Sequence, residues 1–141
     1  MIAAVMSYRW TIDPRRGRAT VVGTGAPTII ETEAAVLQLA RDPGFRPGYG
    51  VLLDVRDMSY IPSWADAQAY QRLFAGLRKT YTGGLAVVVS GTAPYGVARM
   101  MSVMFGFIGV QLGAFTELGE ATAWLDRLAQ APLSGDAGSL V

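Results

Sequence analysis

The sequence predicts an α/β fold, a mixed five-stranded sheet that opens with an antiparallel hairpin and carries about four helices in the order β-β-α-β-α-β-α-β-α. Three observations predict it. Apolar runs of strand length alternate with stretches of helical spacing, which favours a largely parallel sheet with right-handed crossovers. Breaks rich in Gly and Pro separate these runs. The 141 residues, 51% of them apolar, are enough for one core without disulfide or metal staples.

The elements follow in order. Residues 5–13 alternate imperfectly, break at Asp13-Pro-Arg-Arg-Gly17, and resume as Arg18-Ala-Thr-Val-Val-Gly23, which reads as a hairpin. Gly23 to Thr28 is a break, and the Gly23-Thr-Gly25 pair lacks the further glycine of a nucleotide-binding turn. Ile30, Ala34, Leu37 and Ala40 or Arg41 place a first helix over about 29–41. Residues 49–56 form an apolar run with a polar carboxyl end. A second helix starts near Ser63, with Asp66 in the carboxylate place of a capping box, and runs to about Lys79 on a stripe of Ala67, Tyr70, Phe74 and Leu77. Leu85 to Ser90 is a continuous apolar strand of the kind covered on both faces. A third helix is expected over about 95–107, a fifth strand over 110–115 and a last helix over 117–129 with Glu117 and Glu120 in its first turn and Arg127 in its last. Residues 5–129 therefore read as one domain, and 131–141 as a flexible tail.

Composition excludes much chemistry. With neither Cys nor His, the chain has no thiolate nucleophile, zinc ribbon, imidazole metal site or Ser-His-Asp triad. No catalytic residue, metal or cofactor is expected, and the remaining inventory suits binding. A net charge of +1 signals no nucleic-acid footprint. The charge-free stretch 100–116 is shorter than the ~20 residues of a spanning helix and holds Gly106, Gly109 and Gly113, so no membrane span is expected. A soluble, cytoplasmic protein is the default expectation.

In open α/β sheets, ligands bind beyond the strand carboxyl ends. The loops after the third and fourth strands, Arg56 to Trp64 and Ser90 to Gly96, lie there. Arg56, Ser63, Ser90, Thr92, Tyr95 and Arg99 are thus candidate ligand-binding residues, suited to a small anion. Equally, Ser63 and Thr92 could serve only as helix caps and Arg99 as a solvated charge. Asp54, Asp57 and Asp66 show no recognisable metal spacing. The third helix is apolar nearly all round. Met100, Met101, Met104, Phe105 and Ile108 mark it as a homodimer interface, a core-filling element or a face for a lipid-like ligand.

The stretch Leu52-Leu-Asp-Val-Arg-Asp-Met-Ser-Tyr-Ile-Pro-Ser63 resembles the signature of STAS domains, found in sulfate transporters and anti-sigma factor antagonists. Asp42-Pro-Gly-Phe-Arg-Pro-Gly48, Leu53-Asp-Val-Arg56, Tyr95-Gly-Val-Ala-Arg-Met100 and Ala121-Thr-Ala-Trp-Leu125 are similar to an uncharacterised bacterial STAS-like group whose fold is related to CRAL-TRIO lipid-transfer domains. The resemblance implies a STAS-like fold, a strand-end role for Asp54, and a regulatory module with a protein partner that offers Ser63 for phosphorylation. Pro62 departs from the pattern, standing where antagonists carry an aspartate. The resulting expectation is a non-enzymatic module working through protein contacts, with a small anionic or amphipathic ligand. The alternative is a carrier of a lipid or hydrophobic metabolite that uses the third helix.

Overall fold

The computed structural model describes residues 3–5 and 7–130. The expected tail, 131–141, lies outside them. Strands β1 (Ala3–Val5), β2 (Tyr8–Asp13), β3 (Arg18–Gly25), β4 (Gly50–Met58), β5 (Leu85–Val88) and β6 (Leu112–Phe115) alternate with helices α1 (Ile29–Arg41), α2 (Trp64–Ala75), α3 (Thr92–Gly106) and α4 (Leu118–Gln130). The mixed sheet with its antiparallel hairpin and four helices is the expected α/β architecture. Beyond the five expected strands there is β1, a three-residue edge antiparallel to β2.

Strand order is sequential, β1 to β6, with β1–β3 antiparallel and β3–β6 parallel. This order decides where the helices go. Three successive crossovers that step the same way with the same hand place α1, α2 and α3 on one face. Their buried residues, including Leu39, Tyr70, Phe74 and Phe105, share a core with Tyr8, Trp10, Val21, Val51 and Leu85. Alternate residues of the central strands point the other way, where Leu52, Ala86 and Val88 meet Ala121 and Leu125 of α4. Past α4 the outer face of the hairpin is solvated, and Arg9, Thr11 and Asp13 are exposed there.

Local chemistry explains the boundaries. Thr28 and Glu31 form a capping box at α1, and Ser63 and Asp66 form one at α2. The second helix stops at Ala75, short of the expected Lys79, because Gly76 takes the C-cap. The third begins at Thr92, earlier than expected. Pro94 falls in its first turn, where a missing N–H loses no helical bond. Gly91 is its N-cap at φ +104°, a conformation that favours glycine. The expected break at Gly23 is instead strand, for β3 continues to Gly25. A Cβ on Gly23 would stand 2.8 Å from Met58 Sδ and 2.9 Å from the Tyr8 ring, so glycine here permits close packing.

Candidate functional site

A pocket of about 170 Å³ lies between the sheet and the three helices on its crowded face. α2 packs on α1 and α3, and Gln71 Nε2 donates to the Met104 carbonyl at 2.7 Å to tie it to α3. The floor beneath α2 is Leu53, Val55 and Val87. These residues stand on the central strands, where full burial is the rule, yet they remain half-buried because the pocket opens above them. Tyr60, Pro62, Ser90 and Pro94 place the pocket at the carboxyl ends of β4 and β5.

The wall carries a small set of polar side chains. Tyr8 and Thr32 hydroxyls are 2.7 Å apart, and Thr32 Oγ1 also donates to the Thr28 carbonyl at 3.2 Å. The Tyr60 hydroxyl donates to the Asp66 carboxylate and lies 3.4 Å from the Tyr70 hydroxyl. Trp10 Nε1 donates to Asp42 at 3.0 Å, and the Tyr81 hydroxyl to the Val36 carbonyl at 2.5 Å. Burial pushes the Tyr8 hydroxyl up to about 12. Burial, then the Asp66 carboxylate and the Tyr70 hydroxyl, raises Tyr60 well above the ordinary phenol range. The Tyr60 hydroxyl and the Ser63 amide hold Asp66 below the usual carboxylate value. Tyr8 and Tyr60 therefore stay protonated and Asp66 stays ionised through the neutral range.

The structure separates the residues that the sequence grouped. Ser90 lines the pocket at its mouth. Ser63 is exposed, and its hydroxyl accepts from the Asp66 amide as the N-cap of α2. Thr92 is exposed at the first residue of α3 and is not its cap. The Arg99 guanidinium lies 5.8 Å from the centroid of the Tyr95 ring, and Arg99 is exposed. Arg56 grips Asp54 with two bonds of 2.9 and 2.8 Å. It alternates with Val55 and so points away from the pocket, toward the α4 side. Its pairing lowers the Asp54 carboxyl below its ordinary value.

The third-helix set divides as well. Met104 and Phe105 are buried within the chain, and Met100 and Ile108 are half-buried against the core. Met101 and Phe105 line the pocket. The large apolar residues of this segment that face solvent are Val103, 63% exposed, and Phe107, 83% exposed. The sequence reading missed the polar wall of Tyr8, Thr32, Tyr60 and Tyr70. Two signals for it were present, the alternation of Tyr8 with Trp10 and the place of Tyr70 on the α2 stripe. Neither says that the hydroxyl ends converge.

Among solved structures the chain is similar to an uncharacterised protein of the DUF3478 family with a SpoIIAA-like fold, from Shewanella loihica PV-4. The match has a TM-score of 0.58 at 18% identity and covers 84% of this chain and 94% of that one. This chain has a SpoIIAA-like fold. That is the STAS-like fold of anti-sigma factor antagonists, as the Leu52–Ser63 signature implied. A fold carries many functions, so the likeness fixes the architecture alone. No protein-family model and no curated protein matches the sequence. Among the described residues of this SpoIIAA-like chain, no helix is long and apolar enough to cross a membrane.

Proposed function

We propose that this SpoIIAA-like chain is a non-enzymatic binding module whose ligand is a small apolar molecule held between the sheet and α1–α3. The observation that carries the reading is the half-buried floor of Leu53, Val55 and Val87 under a pocket of about 170 Å³. The pocket is open at its mouth, so without an occupant its apolar lining faces water, and an apolar molecule of matching shape removes that surface from water. The volume suits a single ring, close to the ~150 Å³ that accepts benzene, and lies below the ~300 Å³ where drug-sized sites begin. A ring-sized metabolite therefore fits better than a long acyl chain. Binding without catalysis accords with a wall of neutral hydroxyls in a chain that has no His or Cys.

Toluene titration followed by amide NMR and thermal unfolding tests the proposal. At one hundred times Kd, toluene is expected to stabilise the protein by about 2.7 kcal/mol. Val87→Phe, which fills the pocket from the floor, is expected to abolish the effect while leaving the circular dichroism unchanged. Absence of both chemical-shift change and stabilisation in the unsubstituted protein would contradict the reading.

A second reading, a regulatory homodimer, rests on Val103 and Phe107, exposed and four residues apart on one side of the third-helix segment. Light scattering across a concentration series would report a dimer, and Phe107→Glu is expected to dissociate it. A monomer throughout the series would remove this reading.

A further inference from the structure

The direction of the hydrogen bonds on the pocket wall narrows the ligand class, an inference that rests on the pocket being a binding site. Each donor buried there is already used. Trp10 donates to Asp42, and Tyr81 donates to the Val36 carbonyl. The Asp66 carboxylate can only accept, so the Tyr60 proton points to it and the Tyr70 proton is left to point at Tyr60. On the other side the Thr28 carbonyl can only accept. It takes the Thr32 proton, and the phenol of Tyr8, the stronger acid, donates to Thr32. Both relays end on acceptors outside the pocket. Their inner ends, the oxygens of Tyr8 and Tyr70, retain unused lone pairs.

The charge around the pocket has the same sense. No Lys or Arg is among the lining residues. Asp66 stands behind the Tyr60 relay, and Glu31 bears on Tyr8 with a coulombic effect of its own. Arg56 is turned away and engaged with Asp54. Ser90, the remaining hydroxyl on the wall, is exposed at the mouth, where water can satisfy it. Inside this pocket a carboxylate would find lone pairs and negative charge, with donors only at the mouth, the Ser90 hydroxyl and the uncapped first amides of α3.

We propose that the pocket selects a ring-sized molecule bearing a hydrogen-bond donor, a phenol or alcohol, and excludes carboxylates. The Tyr8 and Tyr70 oxygens accept the donor while Leu53, Val87 and Phe105 hold the ring. This replaces the small anion suggested by the loop residues with a neutral donor.

Three probes of one shape, toluene, p-cresol and 4-methylbenzoate, separate the possibilities in amide NMR titrations at neutral pH. The expected order is p-cresol about three- to tenfold tighter than toluene, as one buried hydrogen bond gives, and 4-methylbenzoate at least a hundredfold weaker than p-cresol. Tyr70→Phe and Tyr8→Phe are each expected to reduce the preference for p-cresol over toluene and to leave toluene affinity within about twofold. Binding of 4-methylbenzoate as tight as that of p-cresol would overturn the proposal. So would equal affinities for toluene and p-cresol that neither substitution alters, a result that leaves the apolar pocket standing. If none of the three binds, the pocket reading itself fails and this inference fails with it.

Discussion

Ser63 and Asp66 exchange two bonds of 3.1 Å, the Asp66 amide donating to the Ser63 hydroxyl and the Ser63 amide to the Asp66 carboxylate. Ser63→Ala removes half of this box and is expected to lower stability by about 1 kcal/mol, measured by urea unfolding. Asp66 also receives the Tyr60 hydroxyl, and its carboxyl is lowered from the ordinary 3.8. A lowered folded value means that its contribution is complete above 3.8 and is lost as pH falls through the folded value. The stability difference between the unsubstituted protein and Asp66→Ala should thus be constant near neutral pH and shrink in that acid range. A difference that stays constant down to the most acid pH would contradict the assignment. The cap was legible in the sequence because Ser and Asp three residues apart act through local backbone geometry. The Tyr60 bond was not, because it depends on how the loop before α2 turns its ring.

Helices were the most legible elements. The spacing predicts the first over about 29–41 and it forms as Ile29–Arg41, since helical spacing, the Thr28 cap and the following Asp42-Pro-Gly turn are all local signals. The third helix was ambiguous for a physical reason. Its apolar residues surround it, and only packing decides which of them meet β6, which line the pocket and which stay in solvent. Arg56 stands apart from Ser63 and Ser90 for a similar reason. Alternation along β4 sends Arg56 to the opposite side of the sheet from Val55, and the partner strand's register shifts between Val22 and Thr24 beside it. At this scale the anchoring of α4 can be tested. The Arg18 side chain on β3, 8% exposed, reaches Asp126 across 108 positions of sequence. Removing the carboxylate leaves that guanidinium buried without its partner. Asp126→Ala is expected to cost about 2 kcal/mol in urea unfolding.

The whole molecule follows from sequential strand order. Three crossovers of one hand put three helices on one face, and α4 alone covers the central strands on the other. On the crowded face the middle helix rests on its neighbours, and space is left above the central strands. The α/β class and the STAS-like order were legible, because they follow from the succession of elements. The pocket was not, because it arises from the spacing between a helix layer and a sheet, which no run of residues records. Of the loop residues expected at the strand carboxyl ends, Ser90 lines the pocket, and the polar groups on its wall are tyrosines and a threonine where the sequence suggested loop cations. Occupancy of that space is the central claim, and a crystal under xenon pressure tests it most directly, since xenon enters apolar cavities without needing polar partners. A xenon site bounded by Leu53, Val87 and Phe105 is expected, and Val87→Phe is expected to eliminate it. Well-ordered side chains filling the space, with no xenon bound there, would contradict it.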